Sequence, residues 1–322
     1  MRSALFIALG LVTACKGEPF RPDAGPLDEI DAYKPPWFSP APGEVKNWDL
    51  QINAPYSFAE TRAMMMVELW DVVPSPRTIS YEDGSMITVP PGSQPGAIAQ
   101  LDAAGTIVIC HVGTGAVDLA TDPDAMKFPG YEASPPDRPT AMVPNSAIGW
   151  STPAGANERF VDFRNATAAK VLKKRIQLAK DIGCDGILAY RNDAASFAAT
   201  TTMPGFTVSP QEQLDWIVAV AAEGHRLMIS VGGRGGHGEV NVGEIDDDYD
   251  WLVADRCGEL GDCGLARPFI EARRAVFGID YDLAEDGTTP NTLALICQRW
   301  RDAQIDGIQK RAALDSFRAT CP

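Results

Sequence analysis

Four acidic side chains stand at or just past the ends of short apolar runs in this 322-residue chain. Glu68 lies near the end of Met64 to Trp70, Asp193 just beyond Gly186 to Tyr190, Asp255 closes Asp250 to Asp255, and Asp280 lies near the end of Ala275 to Tyr281. Carboxylates converging on one cleft suit hydrolysis of a glycosidic bond: a protonated acid gives its proton to the leaving oxygen, and an ionised partner attacks the sugar or activates water. Asp193 and Asp255 are expected to form the main pair, with Asp280 and Glu68 positioning substrate or tuning that pair. Gln51, His111, Tyr190, Arg191 and Tyr281 occupy neighbouring positions as candidate substrate-binding residues. The competing reading is that these acids are solvated or paired with Arg191, Arg234 and Arg256.

The elements that must hold these residues are eight short apolar or alternating runs: Trp48 to Ile52, Met64 to Trp70, Thr106 to Val112, Gly186 to Tyr190, Leu227 to Val231, Asp250 to Asp255, Ala275 to Tyr281 and Gly307 to Arg311. Helical patterns separate several of them. Leu172, Ile176, Ala179 and Ile182 share one helix face, with lysines on the other, and that helix is expected to stop at Gly183. A second helix is expected to start at Ser209, with Pro210 at its first position and Glu212 completing a capping box, and to stop at Gly224. Strands alternating with helices imply a parallel sheet, and eight strands in about 275 residues fit a single (β/α)8 barrel. Such barrels carry their chemistry at the C-terminal ends of the strands.

The formal net charge is -15, and no cationic run exceeds Lys173 to Arg175, which argues against a nucleic-acid partner. At the N-terminus Arg2, the apolar stretch Ala4 to Leu11 and Val12-Thr13-Ala14-Cys15 are similar to a bacterial lipoprotein signal. That resemblance implies a signal peptide over 1–14, lipidation of Cys15 and an exported protein held at the cell envelope or surface by a lipid anchor alone. The Pro-rich stretch over 15–44 reads as a tether, and 45–322 as the barrel domain. Removing Cys15 leaves six cysteines, an even number that agrees with export. Local pairing of Cys257 with Cys263 and of Cys297 with Cys321 is expected, with Cys110 and Cys184 as the remainder. Cys-x5-Cys without a nearby His is not a zinc spacing, so neither a metal nor a cofactor is called for.

Other features carry less. Gly232 to Gly236 followed by His237 lacks the ending of a phosphate loop and reads as a flexible loop over the barrel mouth. Glu244 to Asp250 reads as a solvated acidic turn, His225 as structural, and Trp48 as core. Gly113 to Asn165 is too long for an ordinary connection and is expected to wall the substrate groove.

Trp48-Asp-Leu-Gln-Ile52, Val67-Glu-Leu-Trp-Asp71, Val108-Ile-Cys-His-Val-Gly-Thr-Gly115, Phe160-Val-Asp-Phe-Arg164, Gly183-Cys-Asp-Gly-Ile187, Asp255-Arg-Cys257 with Cys263, and Phe277-Gly-Ile-Asp-Tyr281 follow the order of glycoside hydrolase family 114. The resemblance spans about Trp48 to Cys321 and implies a secreted (β/α)8 barrel with endo-α-1,4-polygalactosaminidase-like activity on an amino-sugar polysaccharide. Departures fall where the chemistry is expected. After Gly-Cys-Asp-Gly the family usually has Asp-Pro-Asp-Asn and a further Asp; here Tyr190-Arg191-Asn192-Asp193 keeps only the last acid. Asp255 and Asp280 stand where the family has Glu, Glu68 where it has Asp, and His111 where it has Tyr. These exchanges imply a changed substrate, a changed reaction or a silent barrel that binds glycan.

Overall fold

A computed structural model describes residues 35–133, 136, 144–200, 203–234 and 244–322. The segment carrying Cys15 and most of the Pro-rich stretch lie outside the described residues, as do Gly235, Gly236 and His237. Among the described residues no helix is long and apolar enough to cross a membrane.

Eight parallel strands make the frame: β1 (Trp48–Gln51), β2 (Met64–Glu68), β5 (Ile107–Gly113), β9 (Gly186–Tyr190), β10 (Ser230–Arg234), β11 (Trp251–Asp255), β12 (Ala275–Tyr281) and β13 (Asp306–Lys310). They lie side by side in chain order, and the short β14 (Ala319–Thr320) adds antiparallel to β13. All eight expected strands are present. The sheet curls so that β1 approaches β13, and side chains bridge the seam. Trp48 Nε1 donates to the Asp306 carbonyl (3.2 Å), Lys310 Nζ pairs with Asp49 (2.7 Å) with both side chains fully buried, and Arg318 Nε donates to the Trp48 carbonyl (2.9 Å).

Alternation within the strands fills the interior. Trp48, Leu50, Met64, Met66, Ile109, Leu188, Trp251, Val253, Phe277, Ile279 and Ile308 form one buried cluster. β10 contributes almost no bulk: a Cβ on Gly232 would lie 2.3 Å from the Trp251 ring, and Ser230 Oγ accepts from the Trp251 indole at 2.8 Å. The large ring of β11 therefore fills the space that β10 leaves. This is also why the fifth strand runs later than its expected Leu227 to Val231. Its glycines conceal the strand pattern, and Gly232 to Arg234, expected in a flexible loop, belong to the sheet.

Helices cover part of the outside. α1 (Ala97–Ala103) precedes β5, and α2 (Ala166–Ile182) starts on Asn165, whose side chain accepts from the Thr167 and Ala168 amides, and ends at Gly183 with φ +103. α3 (Ala194–Thr200) and α4 (Pro210–Arg226) follow β9; α4 has the expected capping box but runs past Gly224. That glycine permits close approach, since a Cβ there would meet Val231 at 2.2 Å. α5 (Cys257–Leu260) and α6 (Arg267–Glu271) join β11 to β12, and α7 (Leu293–Asp302) joins β12 to β13. Disulfides link Cys110 to Cys184, Cys257 to Cys263 and Cys297 to Cys321.

Two smaller sheets rise beside the frame. One is the hairpin β3 (Arg77–Ser80) and β4 (Met86–Val89); the other orders β6 (Ala116–Asp118), β8 (Gly155–Val161) and β7 (Ile148–Thr152). Residues 35–44, assigned from sequence to the tether, touch the barrel. Trp37 donates to Asp250 (2.9 Å) and stacks on His225 (4.4 Å), and the Pro40 carbonyl accepts from Ala275 N (2.9 Å). Asp250 is accordingly no part of a solvated turn. It is buried and also takes the Val231 amide and His225 Nε2.

Candidate active site

Strand parity decides which side chains reach the barrel mouth. Residues in phase with interior Met66, Ile109, Leu188, Val253 and Ile279 end their strands as Glu68, His111, Tyr190, Asp255 and Tyr281, and Gly232 against Trp251 puts Arg234 in the same set. These six touch one another in strand order. Glu68 Oε2 lies 2.7 Å from His111 Nδ1, and the His111 and Tyr190 rings are 4.7 Å apart. The Arg234 guanidinium lies 5.4 Å from the Tyr190 centroid, makes bonds of 2.8 and 2.9 Å to Asp255 Oδ2, and donates to the Tyr281 hydroxyl at 2.9 Å.

Above them lies a cleft of about 910 Å³. Asp118, Asp122, Pro153 and Glu158 line one wall, from the β6-β8-β7 sheet and its loops, so the long Gly113 to Asn165 segment does wall the groove. Trp70, Asp71 and the Pro90 to Ser93 turn line another. Arg175 of α2 also lines the cleft, held by Asp122 (2.8 Å) and Asp124 (2.7 Å) and lying 5.5 Å from the Trp70 ring.

Two strands end in the same unusual turn. Arg191 and Arg256, immediately after β9 and β11, have φ of 64° and 61°, a left-handed conformation that β-carbons disfavour. Each turn brings the guanidinium back over a tyrosine, Arg191 over Tyr190 at 4.6 Å and Arg256 over Tyr281 at 4.3 Å. The first turn explains Gly115: a Cβ there would sit 1.8 Å from the Arg191 carbonyl oxygen, while the Thr114 and Gly115 amides both donate to the Tyr190 carbonyl.

Burial sets the electrostatics. Desolvation, reinforced by the Asp71 charge, pushes the Glu68 carboxyl up to about 8, and burial with the Arg234 charge pulls the His111 ring down to about 3. Both are therefore neutral near pH 7. Burial raises the Asp193 carboxyl and pushes Tyr190 and Tyr281 up to about 12, so both phenols stay protonated. Among the described residues no group of three or more His, Cys, Asp or Glu side chains is placed to hold a metal ion.

The expected site residues divide accordingly. Glu68, His111, Tyr190 and Tyr281 line the cleft, and Asp255 is joined to them through Arg234. Asp193 is paired with Arg191 at 3.3 Å, whereas Asp255 is paired with Arg234. Asp280 and Gln51 do not reach the mouth. Asp280 alternates with interior Ile279 and Tyr281, so it points outward; its oxygens accept from the Gly258 (2.9 Å) and Glu259 (2.6 Å) amides of α5. Gln51 alternates with Leu50 and is consumed by Asp49 and the Ser57 backbone. Sequence reasoning named Arg234 and Arg256 only as partners of the barrel-end acids, a pairing that Arg234 makes with Asp255, and it missed Glu158 and the other acids of the β6-β8-β7 wall. Ser230-x-Gly232-x-Arg234 could have revealed Arg234 as a strand end, whereas nothing in the sequence marks Glu158, which pairs with Arg191 at 3.2 Å.

Two solved structures share this architecture. That of Aspergillus fumigatus Ega3 in complex with galactosamine superposes with a TM-score of 0.65 at 18% identity, over 88% of this chain and 97% of that one. The glycoside hydrolase domain of Pseudomonas aeruginosa PelA, in a single-substitution variant, gives 0.57 at 12% identity over 86% and 98%. At these identities the likeness is one of fold. No curated protein sequence matches this chain. The model of glycoside-hydrolase family GH114 matches residues 30–322, and the chain belongs to that family.

Proposed function

We propose that this protein is a surface-tethered glycoside hydrolase acting on an amino-sugar polysaccharide, with Asp255 as a working carboxylate. The observation that carries the reading is the cleft itself. Asp71 and Asp118 line it with no ion pair of their own among the described residues, and the lining cations Arg175, Arg234 and Arg256 are each already paired with an acid. A polymer bearing ammonium groups finds there what a neutral or anionic polymer does not. Asp255 offers the chemistry: Oδ2 is fixed by Arg234, while Oδ1 has no hydrogen-bond partner among the described residues and is the oxygen left to take a proton. Family membership and the fold shared with a galactosamine-binding protein support the same substrate class.

Release of reducing ends from polygalactosamine tests the reading, with the N-acetylated polymer as the uncharged control. Cleavage of the free-amine polymer, abolished by Asp255→Asn with folding intact, is the expected result. A second reading, a silent barrel that binds glycan, draws on Tyr190 standing at a family acid position and on the double hydrogen bond that Arg234 makes to Asp255. Binding without turnover would establish it, and galactosaminidase activity gained by Tyr190→Asp with Asp255→Glu would identify the barrel as a silenced member. Neither binding nor cleavage of any amino-sugar polymer would reject both. Tethering rests on the lipoprotein-like N-terminus, and Cys15→Ser should release the protein from envelope membranes.

A further inference from the structure

We propose that Glu68 is the proton donor of this site and that His111 is the residue that positions its acidic proton; the proposal rests on the hydrolytic reading above. Glu68 ends β2, lines the cleft and keeps a quarter of its side chain exposed there. Its Oε2 is 2.7 Å from His111 Nδ1, and His111 is 5% exposed with a buried Nε2 that has no partner among the described residues. A buried orphan N–H is costlier than a buried orphan lone pair, so the hydrogen-bond network assigns the ring proton to Nδ1. Nδ1–H then donates to Oε2 and makes that oxygen an acceptor. The carboxyl proton is left to Oε1.

The surroundings keep it there. Asp71 and Glu158 oppose ionisation of Glu68, while Arg175 and the Trp70 amide favour it less strongly than burial opposes it. His111 faces Arg234, Arg191 and Glu158, and the net effect of burial and the two arginines is a ring that does not take the proton from Glu68. With a glycan bound, the Oε1 proton passes to the glycosidic oxygen as the C1–O bond breaks, and the bonding pair leaves with that oxygen. Water adds its hydroxyl to C1, and its remaining proton passes to Asp255. One glycoside and one water give two hydroxyl-bearing products with no change of oxidation state, and solvent returns the proton from Asp255 to Glu68. Glu68 on β2 and Asp255 on β11 stand four strands apart in the sheet order.

The test compares full-length wild type, Glu68→Gln, His111→Phe and His111→Asn on two substrates, polygalactosamine and a galactosamine oligosaccharide with a dinitrophenolate leaving group that departs without protonation. Glu68→Gln should lower kcat on the polymer by about 10²-fold or more and lower it far less on the activated substrate. His111→Phe should reduce kcat and move the basic limb of the wild-type pH profile upward, because loss of the Nδ1–H donor removes support for the ionised carboxyl. His111→Asn, which restores an N–H at that place, should move the limb back. Infrared titration of the protonated-carboxyl band absent from Glu68→Gln should place Glu68 near 8. Titration near the ordinary glutamate value of about 4.3, or equal losses on both substrates, overturns the donor role while leaving hydrolysis in place. Absence of hydrolysis by wild type overturns the hydrolytic reading and the donor role together.

Discussion

Asp280→Ala separates a catalytic acid from a structural one, because the fold assigns Asp280 to the outside of the barrel wall. The residue is fully buried, and its two oxygens take the Gly258 amide at 2.9 Å and the Glu259 amide at 2.6 Å. Those donors belong to the first turn of α5, which opens on the left-handed Arg256 and is clamped by the Cys257–Cys263 disulfide. Alanine removes both acceptors, and a buried donor left unsatisfied costs about 1–3 kcal/mol. The Gly258 donor is buried and the Glu259 donor partly so, which puts the expected loss at about 3–4 kcal/mol. For a domain of about 290 residues, an unfolding entropy of about 2.1 cal/mol/K per residue turns this into a fall in Tm of about 5–7 °C. Calorimetry gives the Tm, and turnover per folded molecule, measured well below that temperature, should stay within about twofold of wild type. An unchanged Tm with abolished turnover would place Asp280 in the chemistry and refute the parity reasoning.

Glu68→Gln should also change the pH dependence of stability. A carboxyl held near 8 in the fold and near 4.3 in the unfolded chain contributes stability that is present below pH 4 and lost as pH rises through 8, so the variant should gain on wild type by a few kcal/mol between pH 5 and pH 9. For the disulfides, loop closure over separations of 74, 24 and 6 residues predicts losses of about 4, 3 and 2 kcal/mol when Cys110–Cys184, Cys297–Cys321 and Cys257–Cys263 are removed in turn; denaturant midpoints in that order are the check. Lys310→Met should cost about 3–5 kcal/mol because Asp49 stays buried across the barrel seam, and Lys310→Met with Asp49→Leu should recover most of it. A double variant no more stable than the single one would mean that the pair does not join β1 to β13.

Much of the frame was legible because apolar runs of strand length and two well-capped helices are local signals. Ser209, Pro210 and Glu212 fixed the start of α4, and Gly183 the end of α2. What failed was inference from one strand to its neighbour. Gly224 looked like a helix stop, yet its job is to let Val231 pack closely, and Gly232 looked like loop, yet it yields to Trp251. Neither contact is visible until two elements are placed together. Asp280 is a different case, since the alternation of Phe277, Ile279 and Tyr281 was available and already put it out of phase with the interior. Glu158 and the wall acids had no such signal. They stand on an inserted sheet whose position over the mouth depends on the Arg175 cluster and on the Thr114 and Gly115 amides that hold Tyr190.

The charge pattern of the mouth constrains what this barrel can hold. Arg191 is paired with Glu158 and Asp193, Arg175 with Asp122 and Asp124, Arg234 with Asp255, and Arg256 with Glu259. An anionic sugar would have to displace one of these acids, exposing a buried charge without a partner, which is the costly way to break an ion pair. Asp71 and Asp118 are bound differently. Asp71 accepts from Tyr56 and Ser93, Asp118 from the Ala120 and Thr121 amides, and among the described residues neither forms an ion pair. Their charge is therefore available along the walls of the cleft. An ammonium-bearing sugar unit passing between them gains Coulomb energy without breaking a pair. That gain falls with added salt and vanishes when the amine is acetylated, so affinity for the free-amine polymer should weaken with salt while any residual affinity for the acetylated one should not.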